Sequence, residues 1–387
     1  MKAYQEAEEI KLVYSGSNFF DVLERLIDEC REVLHFQTYI FNCDETGMRV
    51  IAALLRARQR NVQVFLMVDA YGSLPFPSDI ADELRAAGIH FRIFSPLFTS
   101  ENLYIGRRLH HKIVVADKHT GLIGGINIAD KYNTTVDAEA WLDYAVLCRG
   151  NVCEYLHILC NQFYLKRGPK PLRKWEMSQP VSVQGDSKKI RFRRNDFLKR
   201  QNEIHQSYIA RIAESERSII MVASYFLPGK NFRRLMSDAA KRGVDITIIM
   251  AGRSDSSTLR LAESFLYDFY LRYNIRLFEW SNSVMHGKAM VVDDQWATIG
   301  SYNLNFLSHY MSIELNADIL DPGFVTSFSG HLRHITQTCC KQIEIKKGHW
   351  NAGVLRQFMM WLAYNFLRLL SGIALSGKKY RNRLHGK

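Results

Sequence analysis

The chain has 387 residues, of which 47% are hydrophobic and 23% charged, and it carries a formal net charge of +12 at pH 7. This composition excludes a disordered chain, and the length allows two domains or one large pseudo-symmetric domain. The basic balance predicts an anionic partner, either a membrane surface or a nucleic acid.

The cysteines and the N-terminus bear on the cellular compartment. There are seven cysteines, an odd number, and no CxxC pair among them. This usage predicts reduced, mostly buried thiols in a cytosolic protein. Residues 1–16 are polar and acidic, so we expect neither a signal peptide nor a membrane anchor there.

Helix-like and strand-like apolar patterns alternate in the first part of the chain. In chain order they predict helices over residues 18–33, 47–60 and 80–87, and strands over residues 34–41, 62–68 and 89–94. The alternation predicts an α/β fold with a mixed, mostly parallel sheet flanked by helices. Residues 96–108 are expected to form a loop that leads into a first motif.

This first motif consists of His110, Lys112, Asp117, Gly124, Gly125 and Asn127. Residues two apart on a strand share a face, so the His110 imidazole and the Lys112 ammonium point the same way. Two apolar runs follow, and we expect them to form neighbouring strands joined by a short hairpin. The small pair at the end allows backbone or ligand to approach closely.

A further strand over residues 137–148 and a helix over residues 152–165 complete a first domain, residues 1–166. Residues 167–190 contain several prolines and many basic residues, which is typical of a linker.

The second domain, residues 191–345, repeats this order. Its predicted helices are residues 202–215, 231–242 and 257–273, and its predicted strands are residues 218–226, 244–250 and 275–280. A second motif with the same spacing consists of His286, Lys288, Asp293, Gly300, Ser301 and Asn303. The repeated spacing indicates an internal duplication and one site built from both copies.

Each copy offers one imidazole, one ammonium and one amide. Two copies facing each other suit a phosphodiester, because cations and donors bind its oxygens while one imidazole attacks and the other transfers protons. Two buried structural histidines are the alternative interpretation. Neither copy has the cysteine or carboxylate spacing of a zinc site, so no metal is expected.

The doubled motif resembles that of the phospholipase D superfamily, and the resemblance covers residues 15–318. It implies two pseudo-symmetric halves and a two-step displacement through a phosphohistidine. By this analogy His110 attacks phosphorus and His286 is the acid and base, although the residues themselves allow the reverse assignment. No cofactor is implied.

The remaining site residues have expected roles. Those expected to hold phosphoryl oxygens are Lys112, Lys288, Asn127 and Asn303. Asp143 and Glu314, each about thirty residues after its histidine, are expected to orient the imidazoles. Asp117 and Asp293 count as catalytic members of the motif, but their position at a strand end also allows them to hold a turn.

Within the superfamily the chain is similar to the short bacterial cardiolipin synthases. The residues that carry this likeness are 68–73, 108–115, 225–229 and 285–288, whereas Asn305 stands where the family pattern usually has Asp. The likeness implies transfer of a phosphatidyl group to phosphatidylglycerol or to another phospholipid or alcohol. The alternatives are a phosphodiesterase that hydrolyses phospholipid or nucleic acid, and a binding protein on a catalytic scaffold.

The C-terminal tail, residues 346–387, is apolar and aromatic over residues 350–375 and ends in a basic cluster. We expect an amphipathic helix that lies in the headgroup region of an anionic membrane, with a buried core helix as the alternative. The prediction is therefore a protein bound to the cytoplasmic face of the cell inner membrane, and nucleic acid is the less favoured partner.

Overall fold

In the computed structural model, the described residues are 3–96, 98–99, 102–103, 107–135, 139–165, 188–196, 199, 201–253, 256–305, 312–344 and 354–384. Side chains are not described for residues 98–99, 102–103 and 370–384. The predicted linker, residues 167–190, lies outside the described residues except for its last three.

The described helices are α1 (Ser17–Glu29), α2 (Glu45–Gln59), α3 (Ser78–Ala86), α4 (Cys153–Tyr164), α5 (Glu203–Glu214), α6 (Lys230–Lys241), α7 (Ser257–Ser264), α8 (Tyr267–Arg272), α9 (Pro322–Thr338) and α10 (Val354–Leu384). The described strands of the first half are β1 (Gln5–Glu6), β2 (Glu9–Tyr14), β3 (Val33–Thr38), β4 (Gln63–Asp69), β5 (His90–Phe94), β6 (Phe98–Thr99), β7 (Asn102–Leu103), β8 (Arg108–Leu109), β9 (Lys112–Ala116), β10 (Thr120–Gly124) and β11 (Tyr144–Arg149). Those that follow are β12 (Lys189–Asp196), β13 (Gln201–Asn202), β14 (Ser218–Ala223), β15 (Asp245–Ala251), β16 (Arg276–Trp280), β17 (Lys288–Val292), β18 (Trp296–Gly300), β19 (Ser312–Ile319) and β20 (Cys340–Ile343).

Two mixed sheets form the centre of the molecule. The first has the order β2-β11-β10-β9-β3-β4-β5, and the second has the order β1-β12-β19-β18-β17-β14-β15-β16-β20. The hairpin β9–β10 of the first sheet corresponds to β17–β18 of the second, and β3-β4-β5 corresponds to β14-β15-β16. The predicted α/β fold with two similar halves is therefore confirmed.

The prediction that each sheet is mostly parallel is wrong. Parallel pairing joins β3-β4-β5 and β14-β15-β16, where helices connect successive strands, and also the short β8 to β19. The other pairs in both sheets are antiparallel. Tight turns make β9–β10 and β17–β18 antiparallel, and the remaining antiparallel pairs join strands that are distant in the chain, such as β3 with β9 and β14 with β17.

Strands are exchanged between the halves. β1, from the N-terminal end, pairs with β12, and β8, directly before the first motif, pairs with β19 of the second sheet. These pairings were not predicted from the sequence. Residues 1–166 therefore contribute strands to both sheets. The division of the chain into domains at residues 166 and 191 remains a prediction.

Both faces of each motif strand are buried. Ile113 and Val115 on β9, like Ala289 and Val291 on β17, belong to one core that contains residues of both halves. The alternate residues of each strand face a separate core formed with the helices of its own half. This two-sided burial explains the uninterrupted apolar runs after each motif lysine. It also fixes the first residues of β9 and β17, Lys112 and Lys288, near the line where the two sheets meet, which we call the seam.

The C-terminal helix α10 lies against the second half. Tyr364 is 5% exposed and its ring centroid is 5.0 Å from that of Phe265, just after α7. Most of the other apolar side chains described on α10 are exposed. Among the described residues, we find no helix that is both long and apolar enough to span a membrane.

Candidate active site

The two motif histidines are attached to the opposite halves through their backbones. The His286 N–H donates to the carbonyl of Leu142 at 2.8 Å, and the His110 N–H donates to the carbonyl of Ile313 at 3.0 Å. The acceptor in each case is the residue directly before a predicted orienting carboxylate, Asp143 or Glu314. The seam therefore places each imidazole next to a carboxylate of the other half.

The side chains complete this crossed arrangement. His110 Nδ1 lies 2.9 Å from Glu314 Oε2, and His286 Nδ1 lies 2.6 Å from Asp143 Oδ2. A carboxylate accepts hydrogen bonds, so each Nδ1 donates and each Nε2 keeps a lone pair. The expectation that Asp143 and Glu314 contact the imidazoles agrees with the geometry, but their pairing across the halves was not foreseen.

The small residues of the two motifs differ in a way that matches the two carboxylates. A Cβ atom at Gly125 would overlap the carboxylate of Asp143, so only glycine fits there. At the equivalent position Ser301 donates from Oγ to Glu314 Oε2 at 2.5 Å. The longer glutamate therefore has an additional donor, whereas the shorter aspartate occupies the space that glycine leaves.

Both motif lysines are buried beside the histidines. Lys112 is 5% exposed and Lys288 is 2% exposed. Lys112 Nζ donates to the carbonyl of His110 at 2.6 Å, and Lys288 Nζ donates to the carbonyl of His286. Each lysine is thus held in place by the backbone of its own motif, with its ammonium beside the histidine of that motif.

Burial has the largest effect on the pKa values of several residues of the site. It lowers the pKa of Lys112 to about 7, and it lowers the pKa of His286, where the charges of Lys288 and Lys112 act in the same direction. Burial also lowers the pKa of His110, against the attraction of Glu314, and raises the pKa of Asp143 to about 7. These surroundings favour neutral imidazoles.

Aromatic rings surround the two imidazoles unequally. Tyr39 packs edge-on against His110 with ring centroids 4.7 Å apart. Tyr132 and Trp141 pack against His286 at 5.3 and 6.2 Å. Sequence reasoning assigned no role to these three rings. Only Tyr39 had a signal, because residues 38–40 and 224–226 are similar in the two repeats.

The side chains of the two motif asparagines form hydrogen bonds with buried groups of the protein. Asn127 is fully buried; its Oδ1 accepts from the N–H of Ile40 at 3.1 Å, and its Nδ2 donates to the Tyr132 hydroxyl at 2.9 Å. Asn303 Oδ1 accepts from Ser224 Oγ at 2.9 Å. These bonds show that Asn127 positions the ring beside His286, while substrate binding by either amide remains a prediction.

Asp117 and Asp293 are corrected from catalytic to structural residues. They follow β9 and β17 at the ends opposite to Lys112 and Lys288, in left-handed turn positions with φ of 51° and 55°. Each carboxylate accepts three backbone N–H groups at the start of a neighbouring strand. The donors are Arg31, Glu32 and Val33 for Asp117, and Glu216, Arg217 and Ser218 for Asp293.

The described residues contain no group of three or more histidine, cysteine, aspartate or glutamate side chains arranged to hold a metal ion. The charged groups described so far at the seam include the two histidines, the two motif lysines, Asp143 and Glu314. Together they can bind an anion, attack it with one imidazole and exchange protons through the other.

Comparisons with known proteins agree with this chemistry. A family model described as "Cardiolipin synthase, PLD-like domain" matches residues 23–142 and residues 208–336, once in each half. The chain is 32% identical over 383 residues to cardiolipin synthase B of Escherichia coli (strain K12), covering 95% of this chain and 89% of that protein. It is 28% identical to a cardiolipin synthase of Geobacillus kaustophilus, covering 80% of this chain and 62% of that protein.

Solved structures support the fold. The crystal structure of phosphatidylserine synthase from Haemophilus influenzae Rd KW20 aligns with a TM-score of 0.73 and 16% identity, and 95% of each chain is covered. Polyphosphate kinase from Porphyromonas gingivalis aligns with a TM-score of 0.61 and 16% identity over 95% of this chain and 54% of that one. At these identities the likeness concerns the fold alone.

The structural role of Asp117 leads to a stability prediction. Asp117→Ala leaves three backbone N–H groups without their acceptor, so we expect the free energy of unfolding to fall by about 1–3 kcal/mol. Burial opposes ionisation, but the three N–H groups outweigh it and lower the pKa of Asp117. The difference from wild type should therefore be present above about pH 4, the usual range of a free carboxyl, and should disappear as the pH falls further.

Urea titration at pH 7 and at pH 3 measures this difference. Asp21→Ala is the control, because the Asp21 side chain is 62% exposed and lies 3.9 Å from Arg49. A variant of Asp117 with unchanged stability and abolished catalytic activity would contradict the structural role.

Proposed function

The chain belongs to the family of cardiolipin synthases with phospholipase D-like domains, and we propose that it transfers a phosphatidyl group from one phosphatidylglycerol to another, forming cardiolipin and glycerol. It is a phosphatidyltransferase by this membership, and its substrates are phospholipids. The observation that carries the proposal is the crossed pairing of His110 with Glu314 and of His286 with Asp143 at one seam. This pairing leaves two Nε2 atoms for a single phosphorus.

In the first step, His110 Nε2 attacks the phosphorus of the donor phosphatidylglycerol. The N–P bond forms while the bond from phosphorus to the glycerol oxygen breaks, and that oxygen takes a proton from His286 Nε2. Glycerol leaves, and a phosphatidyl group remains on His110.

In the second step, a hydroxyl of the acceptor phosphatidylglycerol replaces the departed glycerol beside His286. His286 Nε2 takes the proton of this hydroxyl, its oxygen bonds to phosphorus, and the N–P bond breaks. His110 is regenerated and cardiolipin is released. The same imidazole acts as acid and then as base, so the proton balance closes over one turnover.

The charges of the site support this sequence of protonation states. The pKa of His286 is lowered by burial and by the charges of Lys288 and Lys112. An anionic phosphodiester compensates the two ammonium groups, so its binding raises the pKa of His286 and favours uptake of the proton that the first step needs. Glu314 and Asp143 hold both imidazoles in the required tautomer.

We propose further that the exposed face of α10 binds the cytoplasmic surface of the inner membrane. Its large apolar side chains include Phe358, Trp361 and Phe366, which are 53%, 48% and 51% exposed, whereas Tyr364 contacts the second half. An apolar face rich in aromatic residues, on a chain of charge +12, suits the interface of an anionic bilayer. This face would hold the seam near its lipid substrates.

Purified protein and phosphatidylglycerol vesicles test the proposed activity. We expect cardiolipin and glycerol in equal amounts, and we expect His286→Ala, which lacks the acid and base, to produce neither at an appreciable rate. Mass spectrometry under alkaline conditions should detect the covalent phosphatidyl group on His110. Phosphatidate as the only product, or cleavage of nucleic acid without action on lipid, would contradict the transferase.

The lowered pKa of Lys112 predicts the pH dependence of donor capture. The charged ammonium binds the phosphodiester, and burial lowers its pKa to about 7. Because kcat/KM reports the free enzyme, we expect it to fall as the pH rises above about 7 in detergent micelles. Arginine stays charged, so the residual kcat/KM of Lys112→Arg should fall only at a higher pH. An identical alkaline fall in both proteins would assign it to another group.

Removing the exposed aromatic side chains tests the membrane face. The triple variant Phe358→Ser, Trp361→Ser and Phe366→Ser should bind anionic vesicles at least about tenfold more weakly, because each large apolar side chain buried in the interface contributes roughly 1.5–3 kcal/mol. Sedimentation with vesicles measures binding, and activity on detergent-dispersed lipid checks the fold. Met48→Ser, at a residue 41% exposed on α2, is the control. Unchanged sedimentation of the triple variant would rule out this face.

A further inference from the structure

Lys131 lies beside His286 and has no role in the steps described so far. It is the middle residue of a short 3-10 helix, Asp130–Tyr132, which follows the first motif. The Lys131 side chain is exposed, in contrast to the buried lysines of the two motifs. It is therefore a solvent-exposed cation on the side of the site that contains His286.

The position of the Lys131 ammonium is defined by the rings around His286. Lys131 Nζ lies 4.4 Å from the centroid of Trp141 and 5.7 Å from that of Tyr132. These two rings are the ones that pack against the His286 imidazole, at 6.2 and 5.3 Å. A cation–π contact of this length favours one location of the ammonium over free motion in solvent.

The backbone that carries Lys131 is also fixed. The Trp141 N–H donates to the Lys131 carbonyl at 2.8 Å. The neighbouring Asp130 accepts from the N–H of Thr46 at 2.8 Å and donates its own N–H to Asp44 at 2.9 Å. The short helix is thus tied to the start of α2, and Lys131 stays on the His286 side of the seam.

The other histidine has a different environment. Arg107 and Arg108 precede His110 in the chain, and both face buried carboxylates. Arg107 Nε bonds to Asp196 at 3.1 Å, and Arg108 Nη1 lies 3.8 Å from Asp69. The cations on the two sides of the site therefore differ in their surroundings, since Arg107 and Arg108 face carboxylates whereas Lys131 lies against the rings of Trp141 and Tyr132.

This difference matters because the two alcohols of the reaction differ in charge. The departing glycerol is uncharged, as is water, but the acceptor phosphatidylglycerol carries its own phosphodiester. A three-carbon glycerol with C–C bonds of about 1.5 Å separates the reacting oxygen from that phosphorus by roughly 6 Å. Lys131 contacts the same two rings that pack against His286, so a phosphate roughly 6 Å beyond a hydroxyl held at His286 Nε2 can reach the side of the site where the Lys131 ammonium lies.

We propose that Lys131 binds the phosphodiester of the acceptor phosphatidylglycerol, places its terminal hydroxyl at His286, and so favours transfer to lipid over transfer to uncharged alcohols and water. The inference rests on the proposed function, and on His110 as the nucleophile, because the acceptor must enter opposite the N–P bond. Lys131 is then a specificity-determining residue for the second step.

Competition between a charged and an uncharged acceptor tests this role. Phosphatidylglycerol in detergent micelles is supplied with ethanol, and cardiolipin, phosphatidylethanol and phosphatidate are measured together. Lys131→Gln should lower the ratio of cardiolipin to phosphatidylethanol by about fivefold or more, the effect expected of one partly solvated contact between a cation and a phosphate. Lys131→Arg should keep most of the wild-type ratio. Lys118→Gln, at the turn between β9 and β10, is the control and should keep the ratio fully.

Each other outcome has a definite meaning. An unchanged ratio in Lys131→Gln would overturn the inference and leave the proposed function standing. If Lys131 only lowers the pKa of His286, an effect its charge does have, the pH profiles of all three products will shift together at a constant ratio, which also overturns it. Wild-type protein that forms phosphatidylethanol but no cardiolipin would overturn the proposed function, and the inference with it.

Discussion

Each imidazole of this protein is held by a carboxylate of the other half, and the remaining features of the site depend on this exchange. The crossed bonds from His110 to Glu314 and from His286 to Asp143 are accompanied by crossed backbone bonds from the same histidines to Ile313 and Leu142. Neither half therefore contains a complete imidazole–carboxylate pair. The core shared by the two sheets brings the four side chains together. The arrangement of the catalytic side chains therefore depends on the packing of the two halves against each other.

Burial explains why the chemistry suits an anionic substrate. Two lysines and two carboxylates lie almost entirely out of water, and uncompensated charge at such a location is costly. The two ammonium groups are balanced by the carboxylates of Asp143 and Glu314 when both imidazoles are neutral. A phosphodiester adds one negative charge, and a proton taken up by one imidazole restores the balance. Binding of the anionic substrate therefore favours protonation of an imidazole, because both changes together keep the buried charges balanced.

Much of the fold and part of the site could be predicted because their signals are local. The helical and strand periods located most of the βα units to within a few residues, and the repeated spacing of His, Lys and Asn located the two motifs. The crossed pairing could not be predicted, since the distance in sequence from a histidine to each carboxylate contains no information on how two halves face each other. The alternation of helical and strand patterns suggested a mostly parallel sheet, but this local signal does not show which distant strands pair, and pairs such as β3 with β9 and β14 with β17 are antiparallel. Asp117 and Asp293 share the spacing of the catalytic residues, and only their location at the far ends of β9 and β17 separates their role from catalysis.

The crossed pairing itself can be measured by nuclear magnetic resonance of protein labelled with ¹⁵N at its histidines. Side-chain spectra report the tautomer and the hydrogen-bonded proton of each imidazole. Glu314→Gln should change the Nδ1–H signal of His110 and leave that of His286 nearly in place, while Asp143→Asn should do the reverse. If Glu314→Gln instead perturbs His286, and Asp143→Asn perturbs His110, each carboxylate serves the histidine of its own half, and the account of the seam given above is wrong.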